Sequence, residues 1–174
     1  MSTLKQQYPL IVGENHPILR TVSSPVWLID KDLKQFARNL LMLMHVYHGV
    51  WLASPQIWHN IRIIAVSQWK TDKKNNMIGK CIAEHIMINP VIIDHSEEID
   101  VGTEWCLSLP WLQWKVQRYH TITVTYKDLN NQKKTLRLQG LDARIVQHEI
   151  DHLDGILYID KLVWPLVRKH LQTD

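Results

Sequence analysis

The chain has 174 residues, a net charge of +3, 45% hydrophobic residues and two cysteines, a composition that suggests neither disorder nor a coiled coil and has too few cysteines for a disulfide scaffold. No apolar run approaches about 18 residues, MSTLKQQYPLIV lacks the order of a signal peptide, and the cations are scattered. A soluble, cytoplasmic protein is therefore expected, with no membrane or DNA partner.

No repeat or linker divides the sequence, so residues 1–174 read as one domain. Asp30 is placed to cap a helix running to about His48, with Leu33, Phe36, Ala37, Leu40, Leu41, Met44 and Tyr47 at core-facing spacing and Gly49 as terminator. Strands follow at Ile61 to Ser67 and at Ile82 to Asp94, the second interrupted by Pro90. Ile122 to Tyr126 and Thr135 to Gln139 flank Asn130 and Asn131, which suit a turn between antiparallel strands. From about Leu141 to Leu153 the pattern is again helical, with Gly155 past its end, and Asp160 to Leu171 reads as a short final helix around Pro165.

The helix at 141–153 carries QHEIDHLDG, Gln147 to Gly155. At about 3.6 residues per turn, His148 and His152 share one face with Glu149 beside them, the arrangement of zinc hydrolases. Alone it also fits two surface histidines on a polar face. Cys106, in EWCLS, is the candidate third ligand. A thiolate and two neutral imidazoles leave one tetrahedral position open, which marks a catalytic rather than a structural site, whereas taken singly Cys106 reads as a buried thiol. Cys81 reads as a buried strand thiol, and the other eight histidines as ordinary residues.

Three ordered motifs settle the choice. GVWLASPQ (Gly49 to Gln56), EWCLS (Glu104 to Ser108) and QHEIDHLDG, supported by HPILR (His16 to Arg20), LDAR and VQR ending at Arg118, resemble peptide deformylase over nearly the whole chain. The resemblance, with the strand and helix texture, implies an α+β fold in which antiparallel sheets surround a central HExxH helix. It further implies that Cys106, His148 and His152 bind Fe(II), with Zn, Ni or Co as substitutes. Glu149 would take a proton from water and pass it to the leaving amine, while the Leu107 backbone N–H and the Gln56 side chain hold the oxyanion. Gly49, Val50, Trp51 and Trp105 would line the groove for N-formylmethionyl nascent peptides, whose formyl group leaves as formate. Glu104 and Arg118 read as an ion pair supporting the Cys106 loop rather than as catalysts. A basic C-terminal stretch, Arg168, Lys169 and His170, would face the ribosome. An HExxH peptidase is the competing enzyme, disfavoured because such enzymes usually take His or Glu as third ligand.

The chain departs from the family pattern mildly at Ser54, where the second Ala is usual, and at Gln117, where Pro is common, and strongly in one further respect. There are six glycines, against about 12 expected for this length, and eight tryptophans. Trp51, Trp58, Trp105, Trp111 and Trp114 stand where deformylases usually have glycine. We read this as UGA, one base from GGA, rendered as tryptophan where glycine is meant, with Trp27, Trp69 and Trp164 as further candidates. As written, the alternative is a deformylase-like fold that binds metal but is impaired in catalysis, since indoles would crowd a groove where backbone must approach the peptide.

Overall fold

The computed structural model describes residues 2–72 and 77–162. After a short α1 (Ser2–Gln7), Asp30 accepts a hydrogen bond from the Leu33 N–H at 2.8 Å and opens α2 (Lys31–Val46). Phe36, Ala37, Leu40 and Met44 are buried as the spacing predicts, Leu43 joins them, and Leu33, Leu41 and Tyr47 are half-buried. The terminator is not Gly49. His48 takes the left-handed conformation (φ 58°), and the Gly49 N–H then reaches the Met44 carbonyl at 2.9 Å. Gly49 has another reason to be small: a Cβ there would lie 2.9 Å from Leu107 Cδ1 and 3.2 Å from the Trp51 carbonyl oxygen.

Five strands, β1 (Trp51–Ala53), β2 (Ile63–Thr71), β3 (Met77–His95), β6 (Thr121–Lys127) and β7 (Lys133–Gln139), form an antiparallel sheet in the order β1-β2-β3-β6-β7. Between β3 and β6, β4 (Ile99–Cys106) and β5 (Leu109–Tyr119) make a separate two-stranded hairpin. Period-two alternation lets β2 serve two cores: Ile63 and Ala65 pack toward α2 with Leu40, Leu52 and Ile88, whereas Ile64 and Val66 join Met87, Ile122 and Val124 beneath α3 (Gly140–Leu153). The helix bearing the histidine pair therefore lies on one face of the sheet, with α2 on the other.

Three expectations are corrected here. β2 begins at Ile63 rather than Ile61 and continues to Thr71. β3 is not interrupted at Pro90: the register shifts between Ile88 and Val91, with Asn89 at φ 50°, so a residue lacking an N–H sits at an irregularity. This one strand pairs with β2 along its first part and with β6 along its last. Cys81 is half-buried rather than buried, its thiol donating to the Ala83 carbonyl at 3.2 Å.

The Asn130–Asn131 turn forms as expected. Asp128 Oδ1 accepts from the N–H groups of Asn130 and Gln132 at 2.8 and 2.9 Å, and Asn131 takes φ 60°. Of the expected final helix, Asp160 and Lys161 end the 3-10 turn Tyr158–Lys161, and residues from 163 onward, with Trp164, Arg168, Lys169 and His170, lie outside the described residues. Among the described residues no helix is long and apolar enough to cross a membrane.

Trp58 closes the 3-10 turn Ser54–Ile57 in left-handed backbone (φ 70°, ψ 12°) with its indole 53% exposed. That conformation favours glycine. Trp58→Gly is expected to stabilise the fold by about 1 kcal/mol, strain relief exceeding the entropy glycine adds to the unfolded chain. Urea unfolding checks this, and a lower midpoint would show that the edge contact between the Trp58 and His16 rings at 4.8 Å outweighs the strain.

Candidate metal centre

α3 starts from Gln139 in extended backbone and ends at Asp154, after which Gly155 (φ 71°) turns the chain away. Only glycine fits at 155, since a Cβ would also stand 2.8 Å from the Arg20 backbone. On the helix, Arg144, His148 and His152 follow one another at four-residue spacing and all three are buried. Opposite them the β4–β5 hairpin turns tightly, pairing Cys106 with Leu109 across Leu107 and Ser108. Gln147 fastens the hairpin to the helix, its Nε2 donating to the Tyr119 carbonyl at 2.9 Å and its Oε1 accepting from the Tyr119 N–H at 3.1 Å.

These elements bring the three expected ligands together. One donor atom from each of Cys106, His148 and His152 lies within 4.8 Å of the others, and all three residues are buried. Cys106 Sγ is 3.2 Å from His152 Nε2, close to the separation of about 3.5 Å that a thiolate sulfur and an imidazole nitrogen adopt on one tetrahedral ion. His148 Nε2 and both Glu149 carboxylate oxygens are buried with no hydrogen-bond partner among the described residues. Buried polar groups are ordinarily paired, so these face a space that a metal ion, water or substrate would fill.

The electrostatics agree with the donor set. Burial pushes the Cys106 thiol up to about 12, with the Glu149 charge adding to it, so the thiolate forms only with a cation beside it. Burial also holds His152 well below the usual histidine range, helped by His148 and Arg118, which leaves a neutral imidazole able to ligate. Glu149 is fully buried and raised well above the carboxylate range, first by desolvation and then by the charges of Glu104 and Asp151.

Behind the ligands lies a buried charge network. Arg118 donates Nε and Nη2 to the two Glu104 oxygens at 2.8 Å each and Nη1 to Asp151, which also accepts from Lys161 Nζ at 2.6 Å. Glu104 additionally accepts from Arg144 Nη1 at 2.7 Å and from His148 Nδ1 at 2.9 Å. Desolvation raises the Glu104 carboxyl, but the bonds and charges of Arg118 and His148 outweigh it and hold it far below the usual range. An ionised Glu104 can only accept, so His148 Nδ1 carries the proton and Nε2 presents its lone pair to the site. The sequence reading had Glu104 and Arg118 as a pair. It missed Arg144, whose signal was its place four residues before His148.

Gln56 sits on the 3-10 turn after β1, its Oε1 fixed by the Ala53 N–H at 2.9 Å and its Nε2 pointing to Cys106 Sγ at 3.4 Å and Ser108 Oγ at 3.1 Å. Leu107 is at the hairpin turn, and its side chain covers Gly49. Val50 and Trp105 pack against the core beneath α3, and Trp51 is buried in it. Beside His148 opens a cavity of about 300 Å³, walled by Trp51, Trp105, Leu141, Ile145 and Arg144. The two indoles are 5.5 Å apart, ring centre to ring centre. Trp58 and Trp111 are exposed at the surface and Trp114 is half-buried. Two histidines expected to be ordinary meet carboxylates: His45 Nε2 lies 2.6 Å from Glu84 Oε1, and His120 Nδ1 lies 2.7 Å from Asp100 Oδ2 with Glu98 close by, a grouping common on surfaces that hold no ion.

The comparisons agree with this geometry. The polypeptide deformylase family model matches residues 9–166. A peptide deformylase of Orientia tsutsugamushi is 42% identical over 87% of this chain and 85% of its own, and one from Brucella suis is 36% identical over 88% and 83%. Among solved structures, the Thermotoga maritima peptide deformylase superposes with a TM-score of 0.77 at 32% identity over 90% of this chain and 98% of its own. The Met-Ala-Ser-bound class I type b enzyme of Acinetobacter baumannii gives 0.78 at 31% over 89% and 98%. With its motifs, α+β fold and Cys/His/His group in agreement, the chain belongs to the polypeptide deformylase family.

Proposed function

We propose that in this peptide deformylase Cys106, His148 and His152 hold one Fe(II) ion, with Zn, Ni or Co able to replace it, and that Glu149 handles the protons as the formyl group of an N-terminal formylmethionine is hydrolysed. The observation that carries this reading is the juxtaposition of three buried donors with the partnerless carboxylate of Glu149. Bound there, the ion supplies a Lewis acid that activates water and polarises the formyl carbonyl. Glu149 takes a proton from the attacking water and returns it to the leaving amine, so water and formamide become formate and a free N-terminus. Gln56 Nε2, already aimed at Cys106, and the Leu107 N–H donate to the developing oxyanion. Trp51 and Trp105 wall the cavity beside His148 and, with Gly49 and Val50, would border the groove for the peptide. The test is formate release from a formyl-Met tripeptide by Fe(II)-loaded protein, as written and with glycine at 51, 58, 105, 111 and 114; folded, metal-loaded chains that release none in either form would overturn the reading. The setting we infer is the cytoplasm beside the ribosome, and unchanged ribosome co-sedimentation after deletion of residues 161–174 would remove that part.

We also propose that residues 51, 58, 105, 111 and 114 are glycine in the cell. The left-handed backbone of Trp58 and the indoles of Trp51 and Trp105 beside His148 support this. UGG codons at those positions would dispose of it. The chain with five glycines is expected to turn over a formyl-Met tripeptide at least about tenfold faster than the tryptophan chain, because indoles at the groove misplace the peptide backbone. Equal rates would show that the indoles stand clear of the substrate.

A further inference from the structure

Arg144 is a cation that the hydrolysis does not use, yet it is 9% exposed and fully engaged. Its Nη1 donates to Glu104 Oε1 at 2.7 Å and to the Val116 carbonyl at 3.0 Å, and its Nη2 to the Asp100 carbonyl at 2.9 Å. The guanidinium lies flat on β4 at Gly102, where a Cβ would come within 2.9 Å of Arg144 Cζ and Nη2. Glu104 is thus gripped from two sides. Arg118 takes both oxygens as a fork, while Arg144 adds a second donor to Oε1 and leaves Oε2 to be shared between Arg118 and His148 Nδ1.

We infer that Arg144 is a positioning residue for His148, acting through Glu104 to fix the rotation of the imidazole and the direction of its Nε2. A single fork from Arg118 holds the carboxylate in a plane; the bond from Arg144, anchored to the Asp100 and Val116 carbonyls, sets where in that plane Oε2 sits. Because Arg144 and His148 are one turn apart on α3 and the anchoring carbonyls belong to β4 and β5, this guanidinium also fixes the hairpin carrying Cys106 relative to the helix carrying the histidines.

The inference rests on the proposal that His148 ligates a metal, and the experiment separates the two. Co(II) is loaded into the parent, Arg144→Met, Arg144→Lys and Gly102→Ala, and the visible absorption of bound Co(II) and its release to a chelator are recorded with the unfolding midpoint of each. Release is expected to be about 10–100-fold faster in Arg144→Met, the usual consequence of removing an outer partner of a metal-bound histidine, with a shifted Co(II) band. Arg144→Lys keeps the charge without the fork and falls between. Gly102→Ala alters no charge and moves the guanidinium, so it decides the matter should Arg144→Met not fold. A purely structural Arg144 lowers the midpoint but leaves the band and the release rate of the folded variants at parental values, and that result overturns the inference. A parent that binds no Co(II) at all overturns the metal reading instead.

Discussion

Glu149→Gln is expected to lower kcat/KM for a formyl-Met tripeptide by about 10²–10⁴-fold, the range for loss of a positioned general base, while metal content stays at the parental level. The substitution keeps shape and volume, and Glu149 makes no hydrogen bond to another described residue, so little besides proton transfer changes. The same substitution should raise the unfolding midpoint. A carboxylate buried completely and without a partner destabilises the native state, and a neutral amide relieves part of that. Lower activity combined with higher stability is a signature that damage to the fold does not produce. Formate release, metal analysis and thermal unfolding on one preparation read all three quantities. An activity loss below roughly tenfold would assign the proton transfers elsewhere.

Glu104→Leu is expected to destabilise the fold by about 3–5 kcal/mol, the usual effect of breaking a buried ion pair from one side. Arg118 and Arg144 would keep their charges at 4% and 9% exposure with, among the described residues, only Asp151 as counter-ion, and His148 Nδ1 would lose its acceptor. The pH dependence has a defined sign. The carboxyl of Glu104 is held far below its value in the unfolded chain, so its contribution is complete above the unfolded carboxylate range, about pH 4–5, and is lost as the pH falls from there toward the folded value. The parent should therefore lose stability on acidification more steeply than Glu104→Leu. Urea titrations at several pH values measure both slopes, and parallel profiles would mean that Glu104 is not ionised in the native protein.

The elements that could be read from sequence share a property: their side chains answer to one neighbour. The apolar stripe of α2, the cap at Asp30 and the turn at Asn130–Asn131 are local, and each is found in place. The β4–β5 hairpin was not foreseen because two of its buried positions, Glu104 and Arg118, are charged, and the pair reads as support for a loop until Arg144 is set against Glu104 from 40 residues away. His48 stopped α2 ahead of Gly49 because an αL histidine completes the final turn there, while Gly49 answers to Leu107 in a distant hairpin. For the site, helical spacing alone places His148, Glu149 and His152. Cys106 and Gln56 required the ordered motifs, since their convergence depends on how β1 and the hairpin meet α3. Arg144 escaped notice because arginine on a helix ordinarily signals solvent, and only burial reveals it as part of the centre.

The hairpin shares no ladder with the five-stranded sheet. It is joined to the rest through the bonds of Arg144, Arg118, Gln147, Gln56 and His148, the backbone bond from Gly13 to Ser108, the bridge between Val116 and Leu162, and the packing of Leu109 and Val116 against Leu19, Leu157 and Tyr158. A unit attached mainly through side chains can swing open while the sheet, α2 and α3 stay intact. Amide hydrogen exchange should accordingly separate residues 99–119 from the strands of the larger sheet, with the hairpin exchanging through a smaller, more frequent opening. Each such event carries Cys106 away from the histidines. If exchange shows that opening, the working lifetime of a loaded molecule is expected to follow it rather than global unfolding, and the enzyme would age from its smallest sheet inward.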